Sequence, residues 1–310
     1  MKILNGKVLP LAAVLGLALA ATPKAEVAGA AFLKIGAGAE AAALGGAYTA
    51  LAAGPAAVYW NPAGLAGAQR AVTLTHTALY NEAAHDYAAF AAQGLGGTLG
   101  AAVTWLGYGS MNGRDSSGLS AGGFSAEDMA LSLAYARRYG DFSLGVAGKY
   151  LHSRIAGYSG AGWALDAGLN WQTPVKGLKA ALAAQNLGPE YNFAGTRRPL
   201  PAAWSLGAAY TATEKLTLSL DGRARPGGDD ELCLGAGYQA ARALVLRAGY
   251  NSKAAKAGKS ASAQGLKALD NFRGLSAGFG AAIAGFALDY AFTPYGELGN
   301  AQRLTLSAEF

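Results

Sequence analysis

The sequence predicts an all-β protein: a transmembrane antiparallel β-barrel of about fourteen strands, with a small non-strand segment ahead of it. Three observations predict it. Hydrophobic residues make up 52% of the 310 residues and charged ones only 14%, against about 25% charged in soluble domains. From about residue 70 onward, apolar and polar residues alternate. Long connections also alternate with short ones. The 45 glycines would also suit a fibrous chain, but that demands a monotonous pattern with few aromatics. Aromatics are 10% here, including 15 tyrosines.

In chain order, the first segment reads as an address. Lys2 and Lys7 precede the apolar run VLPLAAVLGLALAA (Val8–Ala21), which ends on the small residues Ala18-Leu19-Ala20. A basic start, a run too short to span and a small-residue end describe a cleaved signal peptide over 1–20. No cysteine follows the run, which excludes lipoprotein processing. The remainder divides into a hatch or plug over 21–69 and the barrel over 70–310.

Residues 21–69 lack strand periodicity. GAGAEAAALGGAYTAL (Gly36–Leu51) is small and partly helical, suited to packing against strand backbones inside a lumen. The segment closes on VYWNPAGLAGAQ. Asn61 is a good N-cap, its side-chain oxygen accepting from a free amide of the next turn. Pro62 stands at the first helical position, where its missing N–H costs nothing. Gly64 keeps the helix short, beside Ala63 and Leu65. Tyr59 and Trp60 then serve to anchor the hatch to the barrel wall. A direct ligand contact is the other reading of the motif.

The strands follow. EKLTLSLDGR sets Leu216, Leu218 and Leu220 against Thr217, Ser219, Asp221 and Arg223. WALDAGLNW sets Trp163, Leu165, Leu169 and Trp171 against Asp166 and Asn170. GFALDYAFT sets Phe286, Leu288, Tyr290 and Phe292 against Asp289. RLTLSAEF closes the chain in the same way. Period two with one apolar face is the strand signal. About fourteen segments approach the ~10 residues that a tilted membrane strand needs. They begin near residues 70, 84, 97, 127, 141, 159, 177, 200, 214, 229, 243, 269, 285 and 300. The long connections are 107–128, 186–201 and 251–271; the short ones are 94–97, 137–141, 211–214 and 281–285. Barrels of bacterial outer membranes carry short periplasmic turns and longer outer loops. Aromatics near strand ends (Tyr80, Tyr87, Tyr108, Tyr135, Tyr139, Tyr150, Trp171, Tyr210, Tyr238, Tyr250 and Tyr295) suit an interface girdle. The final Phe310 resembles the signal read by barrel-assembly machinery.

If the apolar face meets outer-membrane lipid, parity puts Lys149, Asp166, Asp221, Arg223, Arg247 and Asp289 in the lumen. Opposite charges on neighbouring strands should pair there, because a lone buried charge is costly. Such a network is either structural or a polar track for a substrate. The net charge of +6 is a weak guide to partners. Lys2 and Lys7 fall in the leader, and Lys253, Lys256, Lys259 and Lys267 share one loop, which they solvate or bring to anionic headgroups. Cys233, the only cysteine, reads as a small packed residue.

Chemistry is sparse. His76, His85 and His152 lack metal-ligand spacing. His85-Asp86 is two-thirds of a hydrolase triad without an evident serine. GLGGTLG (94–100) is a poor phosphate loop with no helix after it. The expectation is a non-enzymatic protein with no cofactor, no metal and no nucleic-acid partner.

One stretch is specific. AAFLKIGAGAEAAALGGAYTALAAGPAAVYWNPAGLA (30–66) resembles the N-terminal signature of the PorV/PorQ family of FadL-like outer-membrane proteins. Collinear matches follow, among them DMALSLAYARRY (128–139), QNLGP (185–189), LPAAWSLGAAY (200–210) and LDYAFTPYGELGN (288–300). The resemblance implies a fourteen-strand FadL-like barrel with an N-terminal hatch, Asn61-Pro62-Ala63 matching the hatch's Asn-Pro-Ala element. It implies an accessory or cargo shuttle in protein secretion of the type IX kind, with secreted cargo and a translocon as partners. The alternatives are a FadL-like channel for a small hydrophobic ligand, or a structural barrel. Glu40 departs from the pattern, which has a basic residue there.

Overall fold

The computed structural model describes residues 28–80, 82–114, 116–226, 230–256, 273–294 and 300–310. The expected signal peptide, Lys259, Lys267 and Tyr295 lie outside them, as does the Lys256 side chain.

Alternation builds the wall. The strands are β1 (Ala71–Ala78), β2 (Ala84–Gly94), β3 (Gly97–Arg114), β4 (Ser120–Tyr139), β5 (Phe142–Ile155), β6 (Tyr158–Gln172), β7 (Leu178–Leu187), β8 (Tyr191–Phe193), β9 (Thr196–Arg198) and β10 (Ala203–Thr211). β11 (Leu216–Ala224), β12 (Glu231–Ala241), β13 (Leu244–Asn251), β14 (Leu275–Ile283), β15 (Phe286–Pro294) and β16 (Asn300–Glu309) complete them. Fourteen form a closed antiparallel barrel. β1 pairs with β16 from Ala71↔Glu309 to Ala78↔Gln302, and β5 with β6 from Phe142↔Trp171 to Ile155↔Tyr158. β8 and β9 are a small hairpin hung on the end of β6. Closure leaves no open edge, which an apolar solvent requires of a sheet.

The two faces differ as parity demands. Leu133 is 72% exposed and Val146 58%, whereas Ala134 and Ala147 between the strands' outward residues are buried. The outward face is thus apolar and the inward face small or polar, the reverse of a soluble protein.

Three sequence readings need correction. Residues 107–128 are not mainly loop: β3 and β4 run on through Arg114 and from Ser120 as one projecting hairpin. Its glycines and serines hide the strand because they carry no apolar alternation. Connection lengths alternate less regularly than expected. The β5–β6 turn, residues 156–157, lies at the same end as the long connections. Tyr87 is no girdle residue, since it faces the lumen and donates to Pro55 O (2.9 Å).

Residues 28–66 lie inside this wall. They form short helical turns, among them α1 (Ala39–Ala43) and α2 (Ala57–Trp60). The segment enters at the long-loop end, where Gly29 N donates to Pro199 O (2.9 Å). It leaves at the short-turn end, where Gly67 N donates to Thr98 Oγ1 (3.2 Å). Inward-facing strand glycines let it approach the wall. A Cβ at Gly168 would collide with Asn61 Oδ1, and one at Gly145 with the Pro62 backbone.

Candidate functional site

The site is the filled lumen, and Asn61 is its central joint. Its backbone is extended, and its Oδ1 accepts from Ala63 N (3.1 Å), capping the turn Pro62–Leu65. Its Nδ2 donates to Thr49 O (3.1 Å) and to Asn170 Oδ1 (2.7 Å) on β6. One wholly buried amide therefore ties the turn to an earlier loop of the segment and to the wall.

Tyr59 and Trp60 bind mainly the segment itself. The Tyr59 hydroxyl shares its one proton between Leu33 O (2.9 Å) and Ile35 O (2.7 Å), and Trp60 Nε1 donates to Ala37 O (2.8 Å). The two rings meet edge to face at 5.2 Å. Wall contacts are supplied around them: Gln185 Nε2 donates to Tyr59 O (2.6 Å), and Arg223 lies over the Trp60 ring at 5.3 Å. Burial pushes the Tyr59 phenol up to about 12. Burial, and then the adjacent Glu40 carboxylate, raise that of Tyr48. Both hydroxyls therefore stay donors at neutral pH.

All six lumen residues named from parity face inward. Lys149 Nζ pairs with Asp166 Oδ2 (2.7 Å) and donates to Asn186 Oδ1 (2.8 Å), while Asp166 Oδ1 accepts from Asn186 N (2.7 Å). Arg247 Nη1 pairs with Asp289 Oδ1 (2.6 Å). Asp221 and Arg223 do not pair with each other. Asp221 Oδ2 instead accepts from Tyr48 N (3.0 Å) and Thr49 N (2.8 Å). Arg223 pairs with Glu231 (2.8 Å), which also holds Arg225. So these charges join the wall to the inner segment as much as they join strand to strand.

Glu40 and Glu231 are lumen groups that parity reasoning does not name, and Arg303, on the polar face of the last strand, joins them inside. Glu40 accepts from Arg247 Nη2 (2.9 Å) and from the Tyr48 hydroxyl (2.7 Å). A basic residue at this position would face Arg247, whereas Glu40 pairs with it. Leu232 and Leu234 on the outer face of β12 point Glu231 inward, and Leu304 and Leu306 do the same for Arg303 in β16; nothing in strand spacing points to Glu40.

Three cavities border the segment. An apolar one of about 450 Å³ lies at the long-loop end, lined by Phe32, Ile35, Leu79, Leu106, Tyr108 and Ala301 among others. A basic one of about 240 Å³ lies at the same end against Trp60 and Arg303. A third, about 440 Å³, reaches the short-turn end past Arg242 and Ala282. Ala41 lines both of the last two. There the two cavities adjoin across one short helix, α1. It is pinned by Glu40 to Arg247, by Ala39 N to Thr305 Oγ1 (2.9 Å) and by Ser276 Oγ to Ala43 O (3.0 Å).

Hydrolytic chemistry finds no constellation on these residues. Neighbours in a strand point to opposite faces, so His85 is lumenal while Asp86 faces outward and pairs with His76 (2.7 Å). Among the described residues, no three His, Cys, Asp or Glu side chains gather to hold a metal ion.

The fold is that of the FadL-like barrels. A deletion mutant of TodX, described as a monoaromatic hydrocarbon channel, is 14% identical over 89% of this chain and 99% of its own, with a TM-score of 0.59. The toluene transporter TodX of P. putida has the same identity and coverage and a TM-score of 0.57. A FadL homologue of Pseudomonas aeruginosa is 13% identical over 88% of this chain and 97% of its own, at 0.58. At such identities the likeness is one of fold. No family model and no curated relative matches the chain.

Proposed function

We propose that the protein is an outer-membrane channel that admits small hydrophobic molecules. Its long-loop end faces outward and its short-turn end the periplasm, as barrel asymmetry directs. Residues 28–66 act as the hatch. The observation that carries this reading is the apolar cavity at the long-loop end, built from Phe32 and Ile35 of the hatch and Leu79 and Leu106 of the wall. Apolar lining with few polar groups suits a small hydrophobic ligand. Neighbours of the same fold include a protein described as a toluene transporter. Proteoliposomes holding the full chain should take up toluene faster than empty ones. Equal rates, both for this chain and for a Glu40→Ala variant with a loosened hatch, would sink the proposal.

The secretion-accessory reading of the PorV/PorQ type keeps one support beyond resemblance, the projecting β3–β4 hairpin, whose exposed tip offers a protein-binding surface. Affinity purification from membranes tests it; recovery of neither translocon components nor secreted cargo would count against it.

A further inference from the structure

We infer that the basic cavity at the long-loop end is a binding site for a compact oxyanion, separate from the apolar cavity and independent of the channel reading. Arg303, on β16, carries the inference. It is 5% exposed and lines this cavity, and among the described residues its guanidinium makes no hydrogen bond or ion pair. Its Nε is sealed from solvent without an acceptor. A buried, unpaired guanidinium is costly, and its planar fork matches the oxygens of a carboxylate or phosphate.

The surroundings repeat the same demand. Arg223 also lines the cavity. It gives Nε to Ser205 (3.1 Å) and Nη1 to Glu231, while Nη2 has no acceptor. Thr293, another lining residue, has a buried hydroxyl without a partner. Behind Arg303, Thr77 and His85 follow on the next two strands, in register Arg303↔Thr77↔His85, and their side-chain polar atoms are likewise unmatched. Lys34 and Lys253, each engaged in contacts of its own, add positive charge to the lining; Glu231 is the one carboxylate among the described lining residues, already engaged by Arg223 and Arg225. Native interiors leave few polar groups unsatisfied. Two arginines at one cavity, Arg303 without any partner among the described residues and Arg223 with Nη2 unmatched, point to an acceptor-rich ligand.

Size limits that ligand. At about 240 Å³ the space is smaller than the ~300–1,000 Å³ of drug-sized sites. Trp60, Gly36 and Ala41 close it on the hatch side. Inorganic phosphate or a one-ring carboxylate fits; a long acyl chain does not.

Isothermal titration calorimetry on the full chain in detergent tests this, with sodium phosphate and sodium benzoate as probes and sodium chloride at matched ionic strength as control. One-site saturation is expected with at least one oxyanion and not with chloride. Arg303→Met should weaken it at least about tenfold, whereas Arg242→Met, at the other end of the lumen, should leave it within about twofold. Should Arg303→Met not assemble, judged by heat-modifiable gel mobility, Arg303→Lys replaces it, keeping charge but losing the fork, and should still weaken binding several-fold. No saturation with either oxyanion, or equal affinity in the variants, overturns the inference. Toluene uptake by Arg303→Met should match the parent, so failure of this site and failure of the channel are separable.

Discussion

Asn61 shows how much one side chain can hold when it is wholly buried. Replacing it by alanine removes the cap on Ala63 and strands Thr49 O and the Asn170 amide, at about 1–3 kcal/mol for each unsatisfied group. None of these contacts lies in the strand ladder. Asn61→Ala should therefore loosen the hatch, seen as faster hydrogen exchange over residues 39–66, while heat-modifiable barrel mobility persists. Loss of that mobility would show the residue to be part of barrel assembly instead. Tyr59 makes a pH-dependent prediction. Its phenol is raised in the folded chain from 10.0 to about 12, so folding favours the neutral form. The stabilisation is complete below pH 10, the unfolded value, and is lost as pH rises towards 12. Trp60, whose ring lies 5.2 Å away, should report this as fluorescence quenching near pH 12, absent in Tyr59→Phe. A midpoint near 10 would mean that the phenol is not buried.

At the scale of elements, α1 stands between two cavities that reach opposite ends of the lumen. It has only five residues, AEAAA, far below the length at which a helix holds itself together. Its pins to Arg247, Thr305 and Ser276 must supply the rest. Glu40→Ala removes two hydrogen bonds, each contributing about 0.5–1.5 kcal/mol, which converts to roughly a fivefold to hundredfold shift towards the displaced helix. Single-channel conductance should rise accordingly; conductance unchanged from the parent would place the barrier elsewhere. Elements also differ in how legible they were. Strands such as Leu216–Ala224 could be read because period two is imposed by the pleat itself, and inward Lys149, Asp166 and Arg247 followed from the same parity. The partners of those charges could not. Asp221 meets the amides of Tyr48 and Thr49, which lie in a segment without period, and parity assigns a face but no neighbour. The projecting end of the β3–β4 hairpin is hidden in the sequence for the opposite reason. It stands clear of the apolar band, so nothing selects alternation in it.

For the whole molecule, the question is whether wall and hatch stabilise one another or the wall stands alone. Every barrel strand is hydrogen-bonded on both sides, and closure through β1 and β16 needs no hatch residue. The main ties across the lumen are polar. Without the hatch, Asp221 would lose two amide donors and Arg247 would lose Glu40, but water entering the lumen would solvate both. The charge pairs Lys149–Asp166 and Arg247–Asp289 lie within the wall and survive. Little apolar wall surface would be newly wetted, because the inward positions against the hatch are mostly glycine, alanine, serine and threonine. Deleting residues 28–66 with residues 1–27 kept should therefore leave an assembled, heat-modifiable barrel with a lowered thermal transition and a large, steady conductance. An unassembled product would mean that the hatch is a template for closing the wall. An assembled barrel with no gain in conductance would mean that the loops at the long-loop end, rather than α1, close the lumen.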